Sequence, residues 1–183
     1  MNSIISGSTT TRDLGWKSVR LCFYEPRGEN EPWINQIVAY FGKHYVSHVE
    51  IQFEDEMAAS IYAEDEVFFR KRSYSNPCYR IKAFTVSAKS YDLMYKFCES
   101  AATRHVGFSN FRMVCGPLLG YRGSSDRTFC SEFVTHTLQV GGVPFAMKTD
   151  AYRATPSVLL ERINRSETVC FDTTAFKLGL AFK

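Results

Sequence analysis

Thr128-Phe129-Cys130-Ser131-Glu132-Phe133-Val134-Thr135-His136 reads as a loop running straight into a helix, with a cysteine in the first turn. Turn-forming residues, Gly123-Ser124-Ser125-Asp126-Arg127, precede it, and Thr128 is a candidate N-cap. Phe133, Val134, Thr137, Leu138 and Val140 fall mostly on one helical stripe, and Gly141-Gly142 supplies the stop. A thiol at a helix N-terminus lies in a positive potential beside unpaired backbone N–H groups, which favours the thiolate. The same groups suit an oxyanion. A cysteine taken alone is more often a packing residue, so the reading depends on what else the chain brings to it.

The second informative stretch is Tyr45-Val46-Ser47-His48-Val49-Glu50-Ile51-Gln52-Phe53. From Ser47 it alternates strictly, which predicts a strand with Val49, Ile51 and Phe53 on one face and His48, Glu50 and Gln52 on the other. Such a strand either keeps an ordinary solvated face or presents a base to a nucleophile carried elsewhere.

The pair, in this order, resembles the circularly permuted branch of the NlpC/P60, papain-like superfamily. Ser47-His48-Val49-Glu50-Ile51 matches its histidine motif and Phe129-Cys130-Ser131-Glu132-Phe133 its cysteine motif, 82 residues separating His48 from Cys130. The resemblance runs loosely from the strand at Val19 to Gly142. It implies an α+β fold, a small antiparallel sheet (a meander or partial barrel) packed with helices, forming one domain. It also implies a thiol hydrolase or acyltransferase in which Cys130 is the nucleophile and His48 the base, acting on an amide or ester through a thioester. The implied substrates are a peptide, an isopeptide or a lipid-type acyl group, with no cofactor and no metal. Bacterial, viral and phage proteins share the branch, so the implied location is the cytoplasm, or the host cytoplasm or virion for a viral member. A non-catalytic binding or virion-structural protein that keeps the fold is the alternative from another class.

The third catalytic member is open at this stage. Glu50 shares a face with His48, but residues two apart on a strand are separated by about 6.5 Å, so a direct contact is not automatic. Ser60, Tyr62 or Glu64, from the next strand, are alternatives, and Glu50 is the favoured choice. His44 precedes the strand motif, and His136, six residues after Cys130, is turned away from the thiol. His105 closes a helix and Glu132 supports a positive helix end or an ion pair. Trp33 and Tyr24 are candidate cleft residues. Cys22, Cys78, Cys98, Cys115 and Cys170 lack both a helix-start setting and a motif histidine.

Composition bounds the classes. The chain has 183 residues, 45% hydrophobic and 22% charged, which predicts one globular domain with a real core. A net charge of +3 without a nucleic-acid motif gives no case for a nucleic-acid partner. No stretch is long and apolar enough to read as a membrane span or a signal peptide, and six scattered cysteines then read as reduced thiols. Residues 1–13, rich in Ser and Thr, read as a tail. Val19–Tyr24 predicts a strand, and Pro32 opens a predicted helix with Trp33, Ile34, Ile37, Val38 and Phe41. Two strands, 57–63 and 67–72, and a third from Cys78 to Val86 follow. A helix is expected over 87–106 with Ser90 as an internal cap. A long loop, 108–127, precedes the cysteine helix. An irregular link, a short helix from Ser157 to Asn164 and an edge strand within 165–183 complete the expectation.

Overall fold

The computed structural model describes residues 15–27, 39, 44–111, 113, 115 and 126–166. The expected tail, the Pro32 helix with Trp33, most of the 108–127 loop and the C-terminal edge strand lie outside the described residues.

The histidine strand is the centre of a five-stranded antiparallel sheet. β1 (Trp16–Tyr24), β2 (His48–Gln52), β3 (Met57–Ser60), β4 (Phe68–Lys71) and β5 (Tyr79–Ser87) lie in the order β4-β3-β2-β1-β5. The sequence pattern predicts a plain meander. β1 to β4 follow that path, but β5 returns to pair with β1 along its whole length, Trp16 opposite Ser87 to Tyr24 opposite Tyr79. β4 and β5 are therefore opposite edges, and the segment joining them has to cross a face of the sheet. It crosses the face that carries His48 and Glu50. Gln52 Nε2 donates to the Arg72 carbonyl at 2.8 Å, and Tyr74 reaches back to Glu50.

The other face is apolar. Val19, Leu21, Phe23, Val49 and Ile51 are fully buried there, as alternation predicts. Helices cover it. α1 (Ala88–Thr103) is capped by Ser87, whose Oγ accepts from Ser90 N at 3.2 Å; the expected cap, Ser90, is the recipient. α2 (Cys130–Val140) lies between β2 and α1, burying Phe133, Val134 and Leu138. Each fully buried aliphatic side chain contributes about 2 kcal/mol. Where the two helices approach, a Cβ on Gly141 would come within 2.6 Å of Met94 Cγ, so glycine permits the contact. Gly142 ends the turn in the left-handed region at φ 68°.

The expected irregular link after Val143 is ordered as α3 (Pro144–Met147) and a single 3₁₀ turn, Ala151–Arg153. Gln139 Nε2 ties down α3 and the link that follows it by donating to the carbonyls of Ala146 and Thr149. α4 (Pro156–Arg165) is capped by Thr155, whose hydroxyl accepts from Val158 N at 3.2 Å. β6 (Gly107–Phe108) and β7 (Arg127–Thr128) form a short parallel pair that the loop reading missed. It brings the chain from the end of α1 to the start of α2. Two-residue strands are too short to show an alternation.

Candidate active site

Cys130 is the first residue of α2, and no side chain caps that helix. Phe129 holds the N-cap position and is buried, so the helix start is anchored by apolar packing. The predicted cap, Thr128, instead directs its hydroxyl to the Phe129 carbonyl at 3.4 Å. The consequence is chemical. A capping side chain would occupy the first N–H groups of the helix, and without one they remain open to the thiol. Burial works against the Cys130 thiolate. The charge and hydrogen bond of His48, with the backbone N–H groups of Val49 and Ser131, outweigh burial and hold the thiol below its ordinary value.

His48 begins β2 and is 8% exposed. Its Nε2 lies 3.6 Å from Glu50 Oε1, an ion-pair distance and longer than a normal hydrogen bond. Among the described residues Nε2 has no partner within normal hydrogen-bond distance. Burial disfavours the imidazolium, but the Cys130 charge and hydrogen bond, followed by those of Glu50, push the imidazole up to about 9. Each of the two groups thus favours the charged form of the other.

The sequence left the third member open between Glu50 and three residues of the next strand. The structure places Glu50 against His48, because the two side chains lean together on the same strand face. Ser60 is turned to the Val49 carbonyl at 2.7 Å, and Glu64 sits exposed in a turn with φ 66°. Tyr62 stacks on the imidazole, with ring centroids 4.6 Å apart, and donates its hydroxyl to Glu50 at 2.8 Å. It touches both members of the pair.

The polar face of β2 was compatible with a solvated surface, and the structure corrects that reading. Glu50 is fully buried under the crossing segment. Its carboxylate accepts from Tyr74 at 2.5 Å and Tyr79 at 3.2 Å as well as Tyr62, and Arg72 Nε stands 3.4 Å away. Burial alone would raise its pKa. The hydrogen bond and charge of His48, then the Tyr74 and Tyr62 hydroxyls, hold it down at about 2. The opposite effect acts on the donors: burial and then the Glu50 charge push Tyr62 up to about 12 and raise Tyr74 and Tyr79 further. The three phenols are fixed donors. Arg72, Tyr74 and Tyr79 are absent from the sequence-based candidates. The only local signal was a concentration of Tyr and Arg around the break at Tyr74-Ser75-Asn76-Pro77, and the sheet order that gives it meaning is non-local.

His105 pairs with Glu66 at 2.6 Å on the surface. His136 faces Glu132 at 3.9 Å and packs edge-on to Tyr152. Glu132 is buried in the first turn of α2, more enclosed than a helix-end charge requires. Cys22 and Cys98 are buried thiols, each pushed by burial up to about 12. Among the described residues, no group of three or more His, Cys, Asp or Glu side chains converges to hold a metal ion. None of the described helices is long and apolar enough to cross a membrane.

Cys130 and His48 open on a cavity of about 500 Å³. Tyr24, Ile61, Tyr62, Phe108 and Met113 contribute apolar lining, and Ser47, Arg72, Ser73 and Asn76 contribute polar groups. Tyr24 sits directly opposite His48 in the β1–β2 register, consistent with its place among the cleft candidates. Comparisons of the chain with protein-family models, with curated proteins and with solved structures find no match.

Proposed function

We propose that this protein is a cysteine hydrolase or acyltransferase that cleaves an amide or ester bond, and that it is a circularly permuted member of the NlpC/P60 kind. The observation that carries the reading is the Cys130 thiol at an uncapped helix start against His48, itself backed by the buried Glu50.

In this mechanism Glu50 lies on the Nε2 side of the imidazole, which leaves Nδ1 for the thiol. The Cys130 thiolate attacks the substrate carbonyl carbon. The carbonyl π electrons move to oxygen, and the backbone N–H at the start of α2 stabilises the oxyanion. The oxyanion collapses, the His48 imidazolium protonates the departing amine or alcohol, and a thioester on Cys130 remains. Water or another acceptor then attacks the thioester while neutral His48 takes its proton. Collapse releases the acid or the transferred acyl product and restores the thiolate and imidazolium. Glu50 is held ionised beside the imidazolium by the charge and hydrogen bond of His48 and then by the Tyr74 and Tyr62 hydroxyls.

The test is iodoacetamide alkylation followed site by site across pH, in wild type and His48→Gln. Cys130 should react well below the free-thiol value of about 8.5. It should lose at least about ten-fold in rate at pH 7 without His48, since burial then dominates and raises the thiol. A Cys130 that titrates like an ordinary thiol and ignores His48 would overturn the reading and leave a binding protein as the better description.

A further inference from the structure

The crossing segment between β4 and β5 also forms one wall of the cavity, and its charge composition is one-sided. The described residues that line the cavity include two cationic side chains, His48 and Arg72, and no carboxylate. The Glu50 carboxylate is fully buried behind them. Arg72 is 23% exposed, so it is neither sealed in nor solvated freely. Its Nη1 donates to the Tyr62 hydroxyl at 2.6 Å and its Nε faces Glu50. Its plane lies near the rings of Tyr62, Phe68 and Tyr74, with centroids 5.5–5.7 Å from Cζ. These contacts fix the guanidinium on one side and leave its remaining N–H donors for a ligand. Ser73 and Asn76 of the same segment add polar groups to that wall.

We propose that the cavity takes acyl substrates bearing an anionic group, a carboxylate or a phosphate, and that Arg72 is the residue that receives it. The inference rests on Cys130 being the nucleophile and adds the substrate class. An arginine held in a fixed orientation by stacking and by one shared hydroxyl is pre-organised for a planar or tetrahedral anion. The apolar lining of the cavity, with Phe108 and Met113, would hold the uncharged part of the same substrate.

The experiment compares two alkylating probes of similar size, iodoacetate and iodoacetamide, at pH 6.5. The rate ratio at Cys130, normalised to a small thiol, cancels the thiolate's own reactivity and reports the preference for an anion. Wild type should favour iodoacetate. Arg72→Gln should lower the ratio by roughly three-fold or more, the size of one partly exposed charge pair, and Arg72→Lys should restore part of it. A change in His48 cannot imitate this. Losing the Arg72 charge makes the imidazole easier to protonate and would raise the ratio. A second arm tests protection of wild-type Cys130 from iodoacetamide by succinate and, separately, by inorganic phosphate. Protection by one of them supports the proposal and identifies the anion as carboxylate or phosphate. A ratio unmoved in Arg72→Gln, with neither anion protecting, overturns the substrate class while the nucleophile stands. If iodoacetamide does not select Cys130 in wild type, the nucleophile itself fails and this inference falls with it.

Discussion

Replacing Glu50 by Gln isolates the contribution of the buried carboxylate behind His48. The Glu50 carboxyl is held at about 2 against an ordinary 4.5. Each ten-fold change in proton affinity is worth about 1.4 kcal/mol, so the ionised group stabilises the native state by about 3 kcal/mol. The sign follows from a depressed carboxyl. The stabilisation is complete above pH 4.5, where the unfolded chain is also ionised, and is lost as pH falls through about 2. Urea unfolding at pH 6 and at pH 2.5 measures it. Wild type should lose about 2.5 kcal/mol more than Glu50→Gln over that interval, because the amide has no proton to take up. His48 blurs the comparison little, since with an ordinary value of 6.5 it is mostly protonated in the unfolded chain at pH 6 and fully so at pH 2.5. Equal losses in the two proteins would mean that His48 and the tyrosines do not hold Glu50 as an anion, and the account of how His48 keeps its charge would fail.

At the alkaline end, His48 raised to about 9 gives stability that is present below 6.5 and lost as pH rises through 9. In His48→Gln the stability measured at pH 6.5 and at pH 9.5 should differ by less than in wild type. Tyr62→Phe keeps the ring on the imidazole and removes both hydroxyl bonds, so urea unfolding should show a loss of about 1–3 kcal/mol. Gly141→Ala drives a methyl to 2.6 Å from Met94 Cγ and should cost about 1–3 kcal/mol by the same measurement. Combining it with Met94→Ala should cost less than the two changes added together.

The elements that were legible in the sequence are those with a long enough period. Val49 and Ile51 alternate cleanly and form the apolar face of β2, with Phe53 just beyond its end, and the spacing of Tyr91, Met94, Cys98 and Ala101 marks α1. Capping was less legible. Ser87 and Ser90 both fit the start of α1, and only the backbone direction shows that Ser87 accepts and Ser90 donates. At α2, Thr128 has the residue type of a cap, but packing Phe129 into the core determines where the helix begins.

The sequence by itself determined the α+β class, the strand that carries His48 and Glu50, and the helix that starts at Cys130, because each depends on a pattern spanning a few neighbouring residues. The tertiary structure alone decided that these two elements meet. It decided that Glu50, rather than Ser60 or Glu64, stands against His48, and that Tyr62 bridges the pair. The return of β5 to the far edge of the sheet draws Arg72 and Tyr74 across Glu50 and brings Tyr79 beside it. Strand order is set by the total burial of two sheet faces, a quantity to which every strand contributes. No local stretch of the chain records it.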